Sequence, residues 1–329
     1  MTTAYAPGVP AASEKTRTTV SVVVPMFNEA PLLEKNLTAL DAVLQRCDRY
    51  AFDYVLIDDG SSDGTHRIAS AFARGRGDVR IVRHDRNRGL GAALRTARAH
   101  VTGDYVLTID ADLSYAPESF PGLVDAAIAG EADIALASAY CKGGKVRNVP
   151  LMRAVLSREA NRFLSMALNG KIATATCVVR AYRRETFTGL RSCATGMDVN
   201  AVLLMEAVRN GARVVELPAV LDWGEARPAP RGSVRSICEL TWRTMRCGFG
   251  HRPALLLAIP GLIPGLLPLV VAVLYLLHFN APAIAFWSLV TVVVQYSSLA
   301  LFAGQTITFI HRRRSLGRLA PRRLAVTKE

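Results

Sequence analysis

Short β-branched runs alternate with stretches of helical periodicity along the first third of the chain. Thr19–Pro25 (TVSVVVP) is apolar almost throughout, as a parallel strand buried on both faces must be. Residues 31–45 then place Leu32, Leu33, Leu37, Leu40 and Leu44 at helical spacing. Tyr54–Asp58 is a second strand, stopped by the turn-forming Asp59-Gly60-Ser61-Ser62-Asp63-Gly64. A helix over 65–73, a strand over 79–82, a helix over 89–99 and a strand over 105–109 follow. This alternation predicts a Rossmann-like, mostly parallel sheet, in which ligands bind beyond the carboxyl ends of the strands. Beyond residue 112 the pattern loosens. Helices are predicted over 118–129, 152–168 and 199–208, and strands over 134–137, 174–179 and 214–221.

The last quarter reads differently. From Pro253 to Ile310, 58 residues contain no Asp, Glu, Lys or Arg. A bilayer core about 30 Å thick takes roughly 20 apolar residues per helix. Residues 253–310 are therefore expected to form a two-helix transmembrane hairpin turning at Asn280-Ala281-Pro282. Residues 232–252, with Ile237, Leu240, Trp242 and Met245 among arginines, read as an interfacial amphipathic helix ahead of the first span. Residues 1–18 are polar, lack the apolar core of a signal peptide, and are expected to be a disordered leader. Arginines crowd both flanks of the hairpin, including the basic tail 311–329, while the turn between spans carries only His278. The positive-inside rule then puts the α/β domain and both termini on the cytoplasmic face of the inner membrane.

That topology changes how the formal charge of +13 is read. It is explained by the flanks of the spans and by attraction to anionic head groups, and nucleic acid is not an expected partner. The six cysteines show neither a C-x-x-C pair nor zinc-like spacing with histidine, so they are expected to be free thiols in a reducing cytosol.

Three polar clusters fall at the carboxyl edge of the predicted sheet: Pro25-Met26-Phe27-Asn28-Glu29, Asp58–Asp63 and Asp110-Ala111-Asp112. Asp110 and Asp112 stand two apart at a strand end, where a turn can aim both at one cation. Mg2+ or Mn2+ so held could neutralise the charge that builds on a diphosphate leaving group, as a sugar nucleotide has. Asp58 closes the second strand, where a carboxylate can accept hydrogen bonds from a nucleobase or ribose, and Glu29 has a comparable place after the first. Asp63, just ahead of a helix, reads equally as a cap. Arg88-Gly89-Leu90-Gly91 opens a helix whose glycines permit close approach to phosphates, a pattern that ordinary helix starts share.

Val22–Glu29, Ile57–Thr65, Asn87–Gly91 and Asp110–Ser114 together resemble the family 2 glycosyltransferases, and within them the polyprenyl-phosphate, dolichol-phosphate mannose synthase-like branch. The likeness runs over about residues 19–250 and implies a GT-A catalytic domain at 19–231, a GDP- or UDP-hexose donor and inversion at the anomeric carbon. It places Pro25, Phe27, Glu29, Asp58, Arg88, Gly89, Asp110 and Ala111 at the donor. It assigns the acceptor's phosphate to Arg153 and Ser157, an Arg-x-x-x-Ser pair one helical turn apart, and a donor or acceptor phosphate to Arg180. Lys142, Lys145 or Arg147 is expected to supply the charge of an arginine that the branch carries and this chain lacks.

The sequence also departs from the branch. Ala139 stands where relatives carry a phosphate-binding arginine, Thr174 where they carry an aspartate, and Ser114 where some carry a metal-contacting glutamine. All three bear on the acceptor or metal side. The leading expectation is transfer of a hexose to a polyprenyl phosphate at the cytoplasmic face. The alternative is transfer to a hydroxyl of a lipid or glycan with Asp198 as base, although Asp198 reads more simply as a helix N-terminal carboxylate. A processive polysaccharide synthase is disfavoured because no Gln-x-x-Arg-Trp occurs, and an inactive scaffold because Asp110 and Asp112 are intact. The sugar, the base and homo-oligomerisation through the spans stay open.

Overall fold

The structure, a computed structural model, describes residues 17–196, 198–224, 234–251 and 290, with the main chain alone at 234–241 and 250. The leader at 1–16, Gly232 and Ser233, the tail at 311–329 and, apart from residue 290, the expected hairpin at 253–310 lie outside the described residues. Among the described residues no helix is long and apolar enough to cross a membrane. The chain divides into two compact units, 1–241 and 242–329.

The first half builds four strands, β1 (Thr18–Met26), β2 (Tyr50–Asp58), β3 (Val79–Arg83) and β4 (Tyr105–Thr108). They are joined by α1 (Ala30–Gln45), α2 (Thr65–Ala73) and α3 (Leu90–Arg98). A 3-10 turn at Pro117–Ser119, α4 (Phe120–Ala129), β5 (Ile134–Ser138), β6 (Lys145–Arg147) and α5 (Leu151–Ala167) follow. Then come β7 (Arg180–Arg183), α6 (Arg184–Gly189), α7 (Val199–Arg209), β8 (Val214–Pro218), β9 (Val220–Asp222) and α8 (Val234–His251). Of the helix expected at 232–252, α8 is what the structure describes, with Trp242 and Met245 exposed.

Seven strands pair in the order β3-β2-β1-β4-β7-β5-β8, and β6 pairs with β9 in a small second sheet. Within the large sheet every pairing is parallel except those of β7 with β4 and β5. The chain moves outward in one direction from β1 to β3 and returns to the other side of β1 as β4. Loops leaving β1 and β4 therefore diverge, and a crevice opens at that switch point. The core beneath it is the apolar set read from the sequence: Leu33, Leu37, Leu40 and Leu44 of α1 are buried against the β1 and β2 valines and leucines. Each such side chain contributes roughly 2 kcal/mol. Leu32 instead reaches the surface.

One predicted strand is absent. Residues 174–179 are irregular, and the strand in that region is β7, antiparallel and starting at Arg180. The amides of 173–176 are not left for a ladder, because side chains take them. Glu216 on β8 accepts from Ala173 and Thr174 at 2.7 and 2.9 Å, and Asn161 on α5 accepts from Ala175 and Thr176 at 2.8 and 3.1 Å. The predicted strand over 214–221 is likewise two strands, parting at Ala219 so that β9 can pair with β6.

Candidate active site

The first two edge clusters form one stitched unit. Asn28 adopts a left-handed conformation (φ 56°), which its short polar side chain tolerates. Its Oδ1 accepts from the Ser62 N–H at 2.9 Å while its own N–H donates to Ser61 Oγ at 3.0 Å. The Glu29 N–H donates to Thr65 Oγ1 at 2.8 Å, and the Ala30 N–H to Asp63 at 3.2 Å. Burial alone would raise Asp63, but its hydrogen bonds from Thr65 and Ala30 outweigh that and hold it below the usual carboxylate range. Asp63 is thus a turn-builder, and Phe27 is left exposed.

Asp58 and Asp59, adjacent in sequence, face different partners. Asp58 is fully buried at the end of β2, its Oδ1 accepting the Ser61 N–H at 2.9 Å. Its Oδ2 lies 3.2 Å from Arg83 Nε and 3.4 Å from His66 Nδ1 but accepts no well-directed hydrogen bond. Asp59 instead binds chain: its carboxylate accepts the N–H groups of Arg88 and Gly89 at 3.0 and 2.7 Å and meets His84 Nδ1 at 2.6 Å. The other ring nitrogen of His84 lies 2.8 Å from Thr96 Oγ1 on α3.

The glycines ahead of α3 are explained by chain packing. A Cβ on Gly89, whose φ is +86°, would lie 2.3 Å from the Thr195 carbonyl oxygen, and one on Gly91 would lie 1.9 Å from that of Ala194. Arg95 donates to Ala194 O at 2.9 Å, and Arg98 donates to Leu190 O. Segment 190–195 therefore lies across the start of α3, and the close approach is to chain. Arg88 itself is exposed beside this junction. Asp198 follows at the N-cap of α7, its carbonyl accepting the Val202 N–H at 3.0 Å.

Asp110-Ala111-Asp112 leaves β4 on the other side of the crevice. The turn is closed by Leu113, which is left-handed (φ 49°) and donates to Asp110 O at 3.1 Å, and by the Ser114 N–H on Asp112 Oδ1 at 2.8 Å. Asn36 of α1 holds the Ala111 carbonyl at 2.9 Å. Below lies a buried pair, Tyr115 and Cys177. Burial pushes the Cys177 thiol up to about 12, against the pull of the Arg180 guanidinium, and the Asp110 carboxylate adds to the rise. No group of three or more His, Cys, Asp and Glu that could hold a metal ion occurs among the described residues. Two carboxylates without a thiolate or imidazole suit Mg2+ or Mn2+, which keep oxygen ligands from water and phosphate, and do not suit structural zinc.

The small sheet ties this turn to the basic side. The Asp222 N–H of β9 donates to Ser114 O at 2.8 Å, and Asn148 Nδ2 donates to Asp222 Oδ1 at 2.8 Å. The next residue, Trp223, receives the Arg153 guanidinium over its ring at 5.4 Å. Arg153, Ser157 and Asn161 share one side of α5, the first two half-buried and Asn161 buried. Lys142 is exposed in the turn before β6. Thr174 and Ala139 are both buried: Thr174 Oγ1 lies 2.7 Å from Ser138 Oγ and accepts the Tyr140 N–H at 3.2 Å, so it fixes the loop after β5.

Arg180 is placed otherwise than the resemblance implied. Its guanidinium is fully buried and donates to the carbonyls of Ala175 and Asn200 at 2.7 and 2.9 Å, so it braces chain and does not face a phosphate arriving from solvent. Two neighbours of the site escaped the reading of the sequence. Arg83 was legible in principle, since it ends β3 in register with Asp58. Trp223 carried no local signal at all.

Residues 21–190 match the family model described as glycosyl transferase family 2. Polyprenol monophosphomannose synthase of Mycolicibacterium smegmatis is 35% identical over 220 residues, covering 64% of this chain and 79% of the relative. Dolichol-phosphate mannosyltransferase of Pyrococcus furiosus is 32% identical over 204 residues, 60% of this chain and 55% of the relative. Undecaprenyl-phosphate 4-deoxy-4-formamido-L-arabinose transferase of Klebsiella pneumoniae is 31% identical over 212 residues, 63% of this chain and 62% of the relative. The chain thus spans less than two thirds of the length of the last two. Among solved structures, glucosyl-3-phosphoglycerate synthase of Mycobacterium tuberculosis, crystallised with Mn2+, UDP and glucosyl-3-phosphoglycerate, superposes with a TM-score of 0.55 at 21% identity. The match covers 71% of this chain and 80% of that one, and it is a likeness of fold alone.

Proposed function

This chain belongs to glycosyl transferase family 2, whose model covers just over half of it, and we propose that it transfers a hexose from a nucleoside diphosphate sugar to a polyprenyl phosphate. The observation that carries the reading is the crevice between β1 and β4, with Asp110 and Asp112 on one side, the Asn28–Asp58 unit on the other, and Arg153 joined to the metal-side turn through β9. The three relatives above are named for transfer to, or synthesis of, polyprenyl-linked phosphosugars, and that acceptor class is carried over here.

Oδ2 of Asp58, ion-paired with Arg83 but accepting no well-directed hydrogen bond, is a buried acceptor suited to a ring N–H of the donor's base, and Pro25, Phe27, Glu29, Arg88 and Gly89 are assigned to the donor with it. Asp110 and Asp112 would hold Mg2+ or Mn2+, which when bound would supply positive charge against the departing nucleoside diphosphate, with Ala111 at the donor. A phosphate acceptor is already ionised at neutral pH, so alignment and charge neutralisation suffice and no strong base is required. Arg153, Ser157 and Lys142 receive that phosphate. Direct attack gives inversion at the anomeric carbon, and the arginine-rich flanks of the expected hairpin support a reaction at the cytoplasmic face of the membrane. Asp198, at a helix N-cap, is given no step.

The test is a donor panel of GDP- and UDP-hexoses offered to the purified chain with Mn2+ and undecaprenyl phosphate. A mild-acid-labile sugar lipid is expected. Transfer only to a hydroxyl acceptor, abolished by Asp198→Asn, would overturn the acceptor assignment, and no turnover with any donor would overturn the activity.

A further inference from the structure

Among the described residues one buried hydroxyl makes no hydrogen bond, that of Tyr140. A buried polar group without a partner gives up its hydration and recovers nothing, so native structures keep few of them. The rest of the residue is well held. The Tyr140 N–H donates to Thr174 Oγ1 at 3.2 Å, and that oxygen lies 2.7 Å from Ser138 Oγ at the end of β5. The Arg158 guanidinium of α5 lies over the ring, 5.9 Å from its centre. Packing fixes the ring, and its donor is unused.

The sheet says where that donor stands. β4 and β5 both run antiparallel to β7 between them, with Thr108, Arg180 and Leu136 in register across the three strands. Asp110 and Tyr140 therefore leave the same carboxyl edge, about two strand spacings, roughly 10 Å, apart. Tyr115, in the turn after Asp110, is near both. Its phenol is pushed up first by burial, then by the Cys177 thiol and the Asp110 carboxylate, and also by Tyr140. On its other side Tyr140 meets α5, where Arg158 follows Ser157. Arg158 is an exposed, long side chain, able to turn from the ring to an incoming anion. A phenol O–H beside such a cation suits an anionic oxygen, since the hydroxyl donates and the guanidinium offsets the charge.

We propose that the Tyr140 hydroxyl donates to an anionic phosphate oxygen bound between the Asp110-Ala111-Asp112 turn and α5, with Arg158 as its counter-charge. The choice of ligand rests on the sugar transfer proposed above, in which that oxygen belongs to the donor's diphosphate or to the acceptor's phosphate. Tyr140→Phe isolates the contact, because it keeps the ring and the Arg158 stacking and removes the O–H alone.

The experiment measures binding by calorimetry on the full chain in detergent, with two kinds of probe. One is farnesyl phosphate; the other is UDP or GDP with Mn2+. In Tyr140→Phe one kind is expected to bind roughly tenfold more weakly, as the loss of a hydrogen bond to a charged oxygen predicts, and the other within about twofold of the parent. Loss at farnesyl phosphate assigns the oxygen to the acceptor, and loss at UDP or GDP to the donor. Arg158→Met is expected to weaken the same probe. The urea midpoint of Tyr140→Phe should stay level or rise, because an unpaired buried hydroxyl is gone. A midpoint that falls would overturn the proposal, since the hydroxyl then has a partner inside the protein, a buried water included. Unchanged affinity for both probes, equal loss of both, or a parent that binds neither would also overturn it. Sugar transfer enters none of these readouts. A chain that transfers no sugar yet loses one probe in Tyr140→Phe would sink the proposed reaction and leave this contact standing.

Discussion

The carboxylate of Asp59 and the imidazole of His84 meet at 2.6 Å with both side chains almost fully buried. The same carboxylate holds the N–H groups of Arg88 and Gly89, so it fixes the loop that delivers α3 to the crevice edge. Its neighbour Asp58 has one oxygen that pairs with Arg83 at 3.2 Å but accepts no well-directed hydrogen bond. Adjacent carboxylates thereby divide into a brace and a candidate donor contact.

Asp59→Ala is expected to lower unfolding stability by about 3 kcal/mol, because it orphans two main-chain donors and a buried imidazole. Asp58→Asn keeps the Ser61 bond and is expected to cost about 1 kcal/mol while raising the donor KM roughly tenfold. Urea unfolding and donor titrations separate the two. A reversed pattern would exchange their roles.

Asp112→Ala is expected to lower turnover roughly a thousandfold, and EDTA to abolish it until Mn2+ or Mg2+ is restored. Turnover that survives EDTA after extensive dialysis would rule out a metal at Asp110 and Asp112.

Arg153→Ala is expected to raise the KM for lipid acceptor more than that for donor. Trp223→Ala should follow in the same direction but more weakly, roughly threefold, since a cation–π contact contributes about 0.5–1 kcal/mol. Steady-state kinetics with each substrate varied in turn decides. Equal effects on both KM values would count against an acceptor role.

Gly91→Ala forces a methyl group to within 1.9 Å of the Ala194 oxygen and is expected to cost 3 kcal/mol or more, about the upper range for overpacking. Gly189→Ala, with nothing within 4 Å, is expected to stay within about 1 kcal/mol of the parent. Thermal unfolding of the pair measures the difference, and similar losses would mean that segment 190–195 does not rest on α3.

Acid should weaken the fold partly through Arg76, which lies 2.9 Å from Asp41 and 2.7 Å from Asp78. The hydrogen bond from Arg76 leads in holding Asp78 below the usual range. Burial alone would raise Asp41, but hydrogen bonds from Arg76 and Tyr54 outweigh it. Groups depressed in the fold stabilise it above their unfolded value and lose that contribution as pH falls. Stability should therefore drop below about pH 4, and less steeply in Arg76→Met. Urea midpoints taken across that range check the slope, and identical slopes in parent and variant would remove Arg76 from the account.

Much of the architecture follows from residues near one another in the chain. The apolar run at 19–25 can only be a buried strand, the leucines from 33 to 44 mark one helix face, and Asp110 falls just beyond a strand whose apolar run has ended. Hydrophobic period and turn chemistry are local properties, so the sheet edge and its three polar clusters were legible without coordinates. The tertiary structure decided what depends on residues far apart. Asn161 and Glu216 take the amides of 173–176, which removes an apparent strand. Carbonyls at Ala175 and Asn200 turn Arg180 from a surface cation into a buried brace. The carbonyls of Ala194 and Thr195 account for Gly91 and Gly89. In each case a polar or glycine residue is satisfied by a partner that the chain pattern does not specify. Only folding determines whether such a residue is filled by the protein itself.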